Sequence, residues 1–143
     1  MDMDTPNPKD PSQDSDPGLD EQDPRFPSGP WFGFYRQGGV QSRQRFALHF
    51  RNGRIRGEGK DPVAPFAVSG SYSNQTGSVF LTKSYKDYCV HYAGRAEGDG
   101  IPGSWTIEFF GGIVCDAGEF HIWPDELAME ELRKLQKEEP VPA

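Results

Sequence analysis

The chain has 143 residues, enough for one domain, with 34% apolar and 13% aromatic residues and a net charge of -7. Most of that charge lies early: Asp2, Asp4, Asp10, Asp14, Asp16, Asp20, Glu21 and Asp23 face only Lys9 and Arg25, so the rest is close to neutral. That balance disfavours a nucleic-acid partner, which needs a broad basic field, and no run approaches the roughly 18 apolar residues of a membrane span.

Residues 1–29 are rich in Asp, Pro, Ser, Gln and Gly and offer little to bury, which predicts a disordered acidic tail. It shows no basic-then-apolar leader. Short alternating segments follow up to Pro124. The first predicted strand is 30–37, with Trp31, Phe32, Phe34 and Tyr35 around Gly33, and Gly38-Gly39 ends it. The segment 43–51 alternates cleanly, with Phe46, Leu48 and Phe50 on one face and Arg45, Ala47, His49 and Arg51 on the other. Asn52-Gly53 then predicts a two-residue hairpin turn, because both residues tolerate positive φ. The return strand 54–60 sets Ile55, Gly57 and Gly59 against the Phe46/Leu48/Phe50 face.

Asp61-Pro62 reads as a turn, and 64–72 carries Phe66, Val68, Gly70 and Tyr72 on one face. After a turn at Asn74–Gly77, the segment 78–85 groups Val79, Leu81, Lys83 and Tyr85. Lys86-Asp87 turns the chain into 88–96, with Tyr88, Val90, Tyr92 and Gly94 together. Beyond the turn at Glu97–Gly100, the strand 101–110 aligns Gly103, Trp105, Ile107 and Phe109. A looser loop spans Gly111, Gly112 and Asp116, and 117–123 is the last strand, with Phe120 and Ile122. A C-terminal amphipathic helix is predicted over 125–138, opened by Pro124-Asp125. Its apolar stripe is Ala128, Leu132 and Leu135.

About eight strands joined by short loops make antiparallel neighbours. Such a meander closes into an up-and-down barrel or splits into a sandwich. The inward glycines Gly57, Gly59, Gly70, Gly94 and Gly103 favour the coiled, closed form. The expected domains are therefore a tail over 1–29, an all-β antiparallel barrel over 30–124 and a helix over 125–138.

The barrel interior holds the main chemical hint. Lys83 points inward, and Asp61 continues the Ile55-Gly57-Gly59 face at its strand end. A lysine buried alone would lose its proton or find a carboxylate, so Lys83 is expected to pair with Asp61. The hydroxyls of Tyr35, Tyr72, Tyr85, Tyr88 and Tyr92 complete the network, and Trp105 shares that face. Outside, Arg45, Arg51, Arg54 and Arg56 gather beside His49, with Arg43 nearby. Arg51 opposite Arg54 is a like-charge pair. This face suits an anion, an acidic protein partner or the protein's own N-terminal tail. His49, His91 and His121 are expected outside as surface residues. No three or four ligands converge in the sequence as a metal site requires, and no cofactor is implied. No nucleophile motif or phosphate loop is present. Cys89 and Cys115 read as free thiols of a cytoplasmic chain, or as a pair if a longer precursor is exported.

With Gly29-Pro30-Trp31 at the mouth of the first strand, then the meander and a trailing helix, residues 29–138 resemble the calycin group of barrels, the lipocalins and avidin-like proteins. The resemblance implies an eight-stranded up-and-down barrel with an interior cavity. No Arg stands between Arg95 and Arg133, where lipocalins carry one beneath the Trp, so the resemblance transfers no ligand and no binding residue. Two functions are expected from these features. One is a non-enzymatic protein that holds a small polar or aromatic ligand inside the barrel. The other is a protein-interaction module with a filled barrel, acting through its basic face or its C-terminal helix.

Overall fold

Period-two alternation commits this chain to sheet, and the short loops leave each strand only its sequence neighbours to pair with. A computed structural model describes residues 20–109 and 113–125. It holds eight strands: β1 (Gly29–Gln37), β2 (Val40–Arg51), β3 (Arg54–Lys60), β4 (Pro65–Tyr72), β5 (Ser78–Ser84), β6 (Cys89–Arg95), β7 (Ile101–Phe109) and β8 (Ile113–Pro124). Each pairs antiparallel with the next, and β8 returns to β1. The sheet is a closed up-and-down barrel with no free edge.

The registers follow the alternation. Phe46, Leu48 and Phe50 stand opposite Gly59, Gly57 and Ile55. Asn52 (φ 51°) and Gly53 (φ 79°) form the left-handed turn between them. The glycines opposite large residues let backbones and rings close up. A Cβ on Gly59 would lie 2.2 Å from the Arg45 carbonyl and 2.8 Å from the Phe66 ring. Inside, Trp31, Phe46, Leu48, Phe50, Ile55, Val79, Leu81, Ile101, Trp105 and Ile122 are buried, together with two polar side chains, Gln44 and Lys83.

The structure differs from the expected boundaries in three places. β2 starts at Val40, because Gly38 and Gly39 both take positive φ and close a tight turn at once. β8 starts at Ile113 rather than after Asp116, with a register shift at Ile107/Glu108. A bulge of this kind absorbs an extra residue that simple alternation does not reveal. Pro124, expected to open the helix, ends β8, and the amide of Asp125 donates to the Pro30 carbonyl at 2.9 Å.

Residues 20–28, assigned above to the disordered tail, lie against one end of the barrel. Phe26 is fully buried there, stacked on Phe50 and tilted against Tyr72. One buried aromatic ring outweighs the polar composition around it. Residues 1–19 of the expected tail, the Gly111-Gly112 loop and the expected helix beyond Asp125 lie outside the described residues. No helix among the described residues is long and apolar enough to cross a membrane.

Candidate functional site

Asp61 is fixed by its own turn. Its Oδ1 accepts hydrogen bonds from the amides of Val63 and Ala64, which follow Pro62 at the end of β3. This Asx geometry aims Oδ2 into the barrel, where it accepts from Lys83 Nζ at 2.9 Å and from the Tyr85 hydroxyl. Lys83 Nζ also donates to Gln44 Oε1 at 3.0 Å and to the Tyr92 hydroxyl at 3.3 Å. The Tyr92 hydroxyl donates to Gln44 Oε1 at 2.7 Å, and Gln44 Nε2 donates to the Phe34 carbonyl. All three ammonium protons are thus accepted. Around the same nitrogen stand the rings of Phe66, Tyr35, Tyr92 and Tyr85, with centroids 4.4–5.5 Å away, each adding a cation–π attraction.

The side chains of Lys83 and Asp61 are 2% and 0% exposed. Burial pushes the Lys83 ammonium below its ordinary value, while Asp61 pulls it back up. Burial alone would raise the Asp61 carboxyl, but Tyr85, Lys83 and the Ala64 amide overcome it, so Asp61 stays below the usual carboxylate range. The arrangement is an ion pair with every strong donor satisfied. Tyr88 stacks on Tyr85 at 4.8 Å. Together with Tyr35, Lys83, Tyr92 and Trp105, these rings border a space of about 30 Å³.

Of the expected interior set, Lys83, Asp61, Tyr85 and Tyr92 are bonded together, and Tyr35 and Tyr88 pack beside them. Trp105 lies edge-on to Tyr35 and donates its indole N–H to the carbonyls of Arg36 and Glu119. Tyr72 is not part of this cluster. It sits at the Phe26 end, where its hydroxyl donates to Glu21 Oε1 at 2.6 Å. Gln44 was missed, although it continues the Phe46/Leu48/Phe50 alternation by one step. Phe26 was missed because an isolated aromatic residue in a polar run has no periodicity to flag it, and Glu21 because it is one of many carboxylates in that run.

The outer basic face divides in two. Ala47 and Glu58 pair across β2 and β3 between its halves. Near the Asn-Gly turn, His49, Arg51, Arg54 and Arg56 border a cleft of about 280 Å³. Asp20 bonds two of these residues: its Oδ1 meets His49 Nε2 at 2.8 Å and accepts from Arg51 Nη2 at 3.1 Å. The His49 contact, followed by Arg51, lowers the Asp20 carboxyl. Arg54 and Arg56 are exposed, and neither has a salt-bridge partner among the described residues.

Arg45 lies on the outer face of β2, as expected, but outside this cleft. It stands opposite Lys60 and Phe32. With Arg43 and Lys60 it rims a groove of about 590 Å³ on the outside of β1, β2 and β8, floored by Phe32, Phe34 and Trp123. Phe32 meets Trp123 edge-on at 4.9 Å, and His121 packs against both Phe34 and Trp123. His91 turns outward towards Thr82 and Glu108. Cys89 is a half-buried free thiol near Ser84. Comparison with protein families, with curated proteins and with solved structures finds no match for this chain.

Proposed function

We propose that this barrel is a protein-interaction module whose outer basic cleft captures an acidic segment. The carrying observation is Asp20, held as a carboxylate by His49 and Arg51, with Arg54 and Arg56 beside it and without salt-bridge partners among the described residues. A bound carboxylate next to two guanidinium groups without such a partner among the described residues fits an acidic chain only partly engaged. The small space beside the Lys83 cluster supports the same reading. A drug-sized ligand needs a pocket of about 300 Å³ or more, and about 30 Å³ remains beside Lys83. A small ligand inside the barrel therefore draws less support than a partner on its outside.

A short fluorescein-labelled polyglutamate peptide tests this. It should bind the full chain at low salt and weaken as salt screens the charges. The double change Arg54→Glu/Arg56→Glu should weaken it about tenfold or more, the effect of losing about 1.4 kcal/mol. Arg43→Glu/Arg45→Glu, in the other half, should leave it unchanged. Neutralising Asp14 and Asp16 should tighten binding if the protein's own tail competes for the cleft. Binding that is absent, or indifferent to Arg54 and Arg56, would overturn the proposal.

A further inference from the structure

A second outer site lies on β1, β2 and β8, away from the acidic-segment cleft. The antiparallel registers build it as a grid. Phe32 stands between Trp123 on β8 and Arg45 on β2, and Arg45 faces Lys60 on β3. One row along, Phe34 stands between His121 and Arg43. Rows lie about 7 Å apart and columns about 5 Å apart, so an aromatic half adjoins a cationic half. Outward positions of a soluble sheet are usually polar. Here Phe32, Phe34 and Trp123 are half-buried, and both phenylalanine rings meet Trp123 edge-on, at 4.9 and 6.2 Å.

The cations of this grid are uncommitted. Arg43, Arg45 and Lys60 are exposed, and none makes a salt bridge among the described residues. Asp61 borders the same groove, but its carboxylate turns inward to Lys83. Arg36, one row further, already pairs with Glu119 and lies over the Phe34 ring. An occupant that satisfies both halves carries a flat ring on one side and several negative charges on the other. A carboxylate brings one charge. A phosphate chain brings more, and its oxygens match the guanidinium fork. The groove holds about 590 Å³, inside the range of small-molecule sites. It crosses three strand spacings from β8 to β3, about 14–15 Å, which leaves room for ring and charge at opposite ends.

We propose that this groove binds a nucleoside di- or triphosphate, with the base against Phe32, Phe34 and Trp123 and the phosphates on Arg43, Arg45 and Lys60. Bases stack on aromatic side chains whatever their sequence identity, so the rings supply affinity for any base. The three cations select the charged end. Such a ligand needs only this local patch, not the broad basic field that a nucleic-acid partner requires.

Trp123 reports on the groove, because Trp31 and Trp105 are buried. Adenosine triphosphate, titrated into the full chain at low salt without divalent cations, should quench tryptophan fluorescence saturably below about 1 mM. By calorimetry, adenosine and inorganic tripolyphosphate should each bind about tenfold or more weakly, since each engages one half of the groove. Arg43→Glu/Arg45→Glu should weaken the nucleotide by about the same factor, whereas Arg54→Glu/Arg56→Glu, in the other cleft, should leave it unchanged. Tripolyphosphate that binds as tightly as the nucleotide makes the groove a plain anion site and overturns the proposal. Absence of saturable binding, or indifference to Arg43 and Arg45, overturns it as well. An oligodeoxyadenylate that binds about tenfold or more tightly than the mononucleotide overturns it in favour of a nucleic-acid strand.

Discussion

Lys83 and Asp61 do not depend on each other equally, and this asymmetry can be measured. Without Lys83, Asp61 still accepts from Tyr85 and from the amides of Val63 and Ala64. Without Asp61, Lys83 keeps only the neutral acceptors Gln44 and Tyr92. An unpaired buried charge costs about 3–5 kcal/mol. Asp61→Ala should therefore destabilise the barrel by about that much, and Lys83→Met by about 1–3 kcal/mol, the cost of a lost charged hydrogen-bond partner. Urea unfolding of both variants and of the double variant measures the order, and equal losses would refute it. The pair itself was legible in the sequence: a lysine at an inward strand position needs a carboxylate, and Asp61 was the one aligned with it. Gln44 was less legible, because a neutral amide on a core face signals nothing until its partners are placed.

The hairpins carry most of the strand-level information. Asn52-Gly53 names its own turn type, and with it the register of β2 on β3 down to Arg51 opposite Arg54. Gly53 sits at φ 79°, where a side chain costs about 1–2 kcal/mol. Gly53→Ala should lower unfolding stability by about that amount with an unchanged urea slope, and an unchanged midpoint would show that the turn relaxes freely. The start of β8 was harder to read. Its register shift at Ile107/Glu108 depends on how two strands settle side by side. The segment 20–28 was misread for a related reason. Its composition is that of a tail, yet Phe26 fills the barrel end between Phe50 and Tyr72, and only the closed barrel supplies that slot.

Closure of the whole barrel sets the behaviour of all five tyrosines. Burial is the leading cause that holds Tyr35, Tyr72, Tyr85, Tyr88 and Tyr92 above the ordinary phenol value of 10.0. A folded value above the unfolded one gives stability that is complete below about pH 10 and lost as pH rises towards the folded values. Phenolate absorbance should therefore appear late and together with unfolding, as a single steep transition measured at 295 nm and by circular dichroism. Gradual ionisation of several tyrosines in a still-folded protein would contradict this. By itself, the sequence determined the all-β meander, the antiparallel neighbours, the inward glycines and the Lys83–Asp61 pairing. These depend on strand period, turn chemistry and the cost of burying a lone charge, all of which act over a few residues or across one hairpin. Only the tertiary structure decided that Tyr72 belongs to the opposite end, that Asp20 bonds His49 and Arg51 beside the basic cleft and that Arg45 borders a separate aromatic groove. Those outcomes depend on which strands become neighbours when β8 closes on β1.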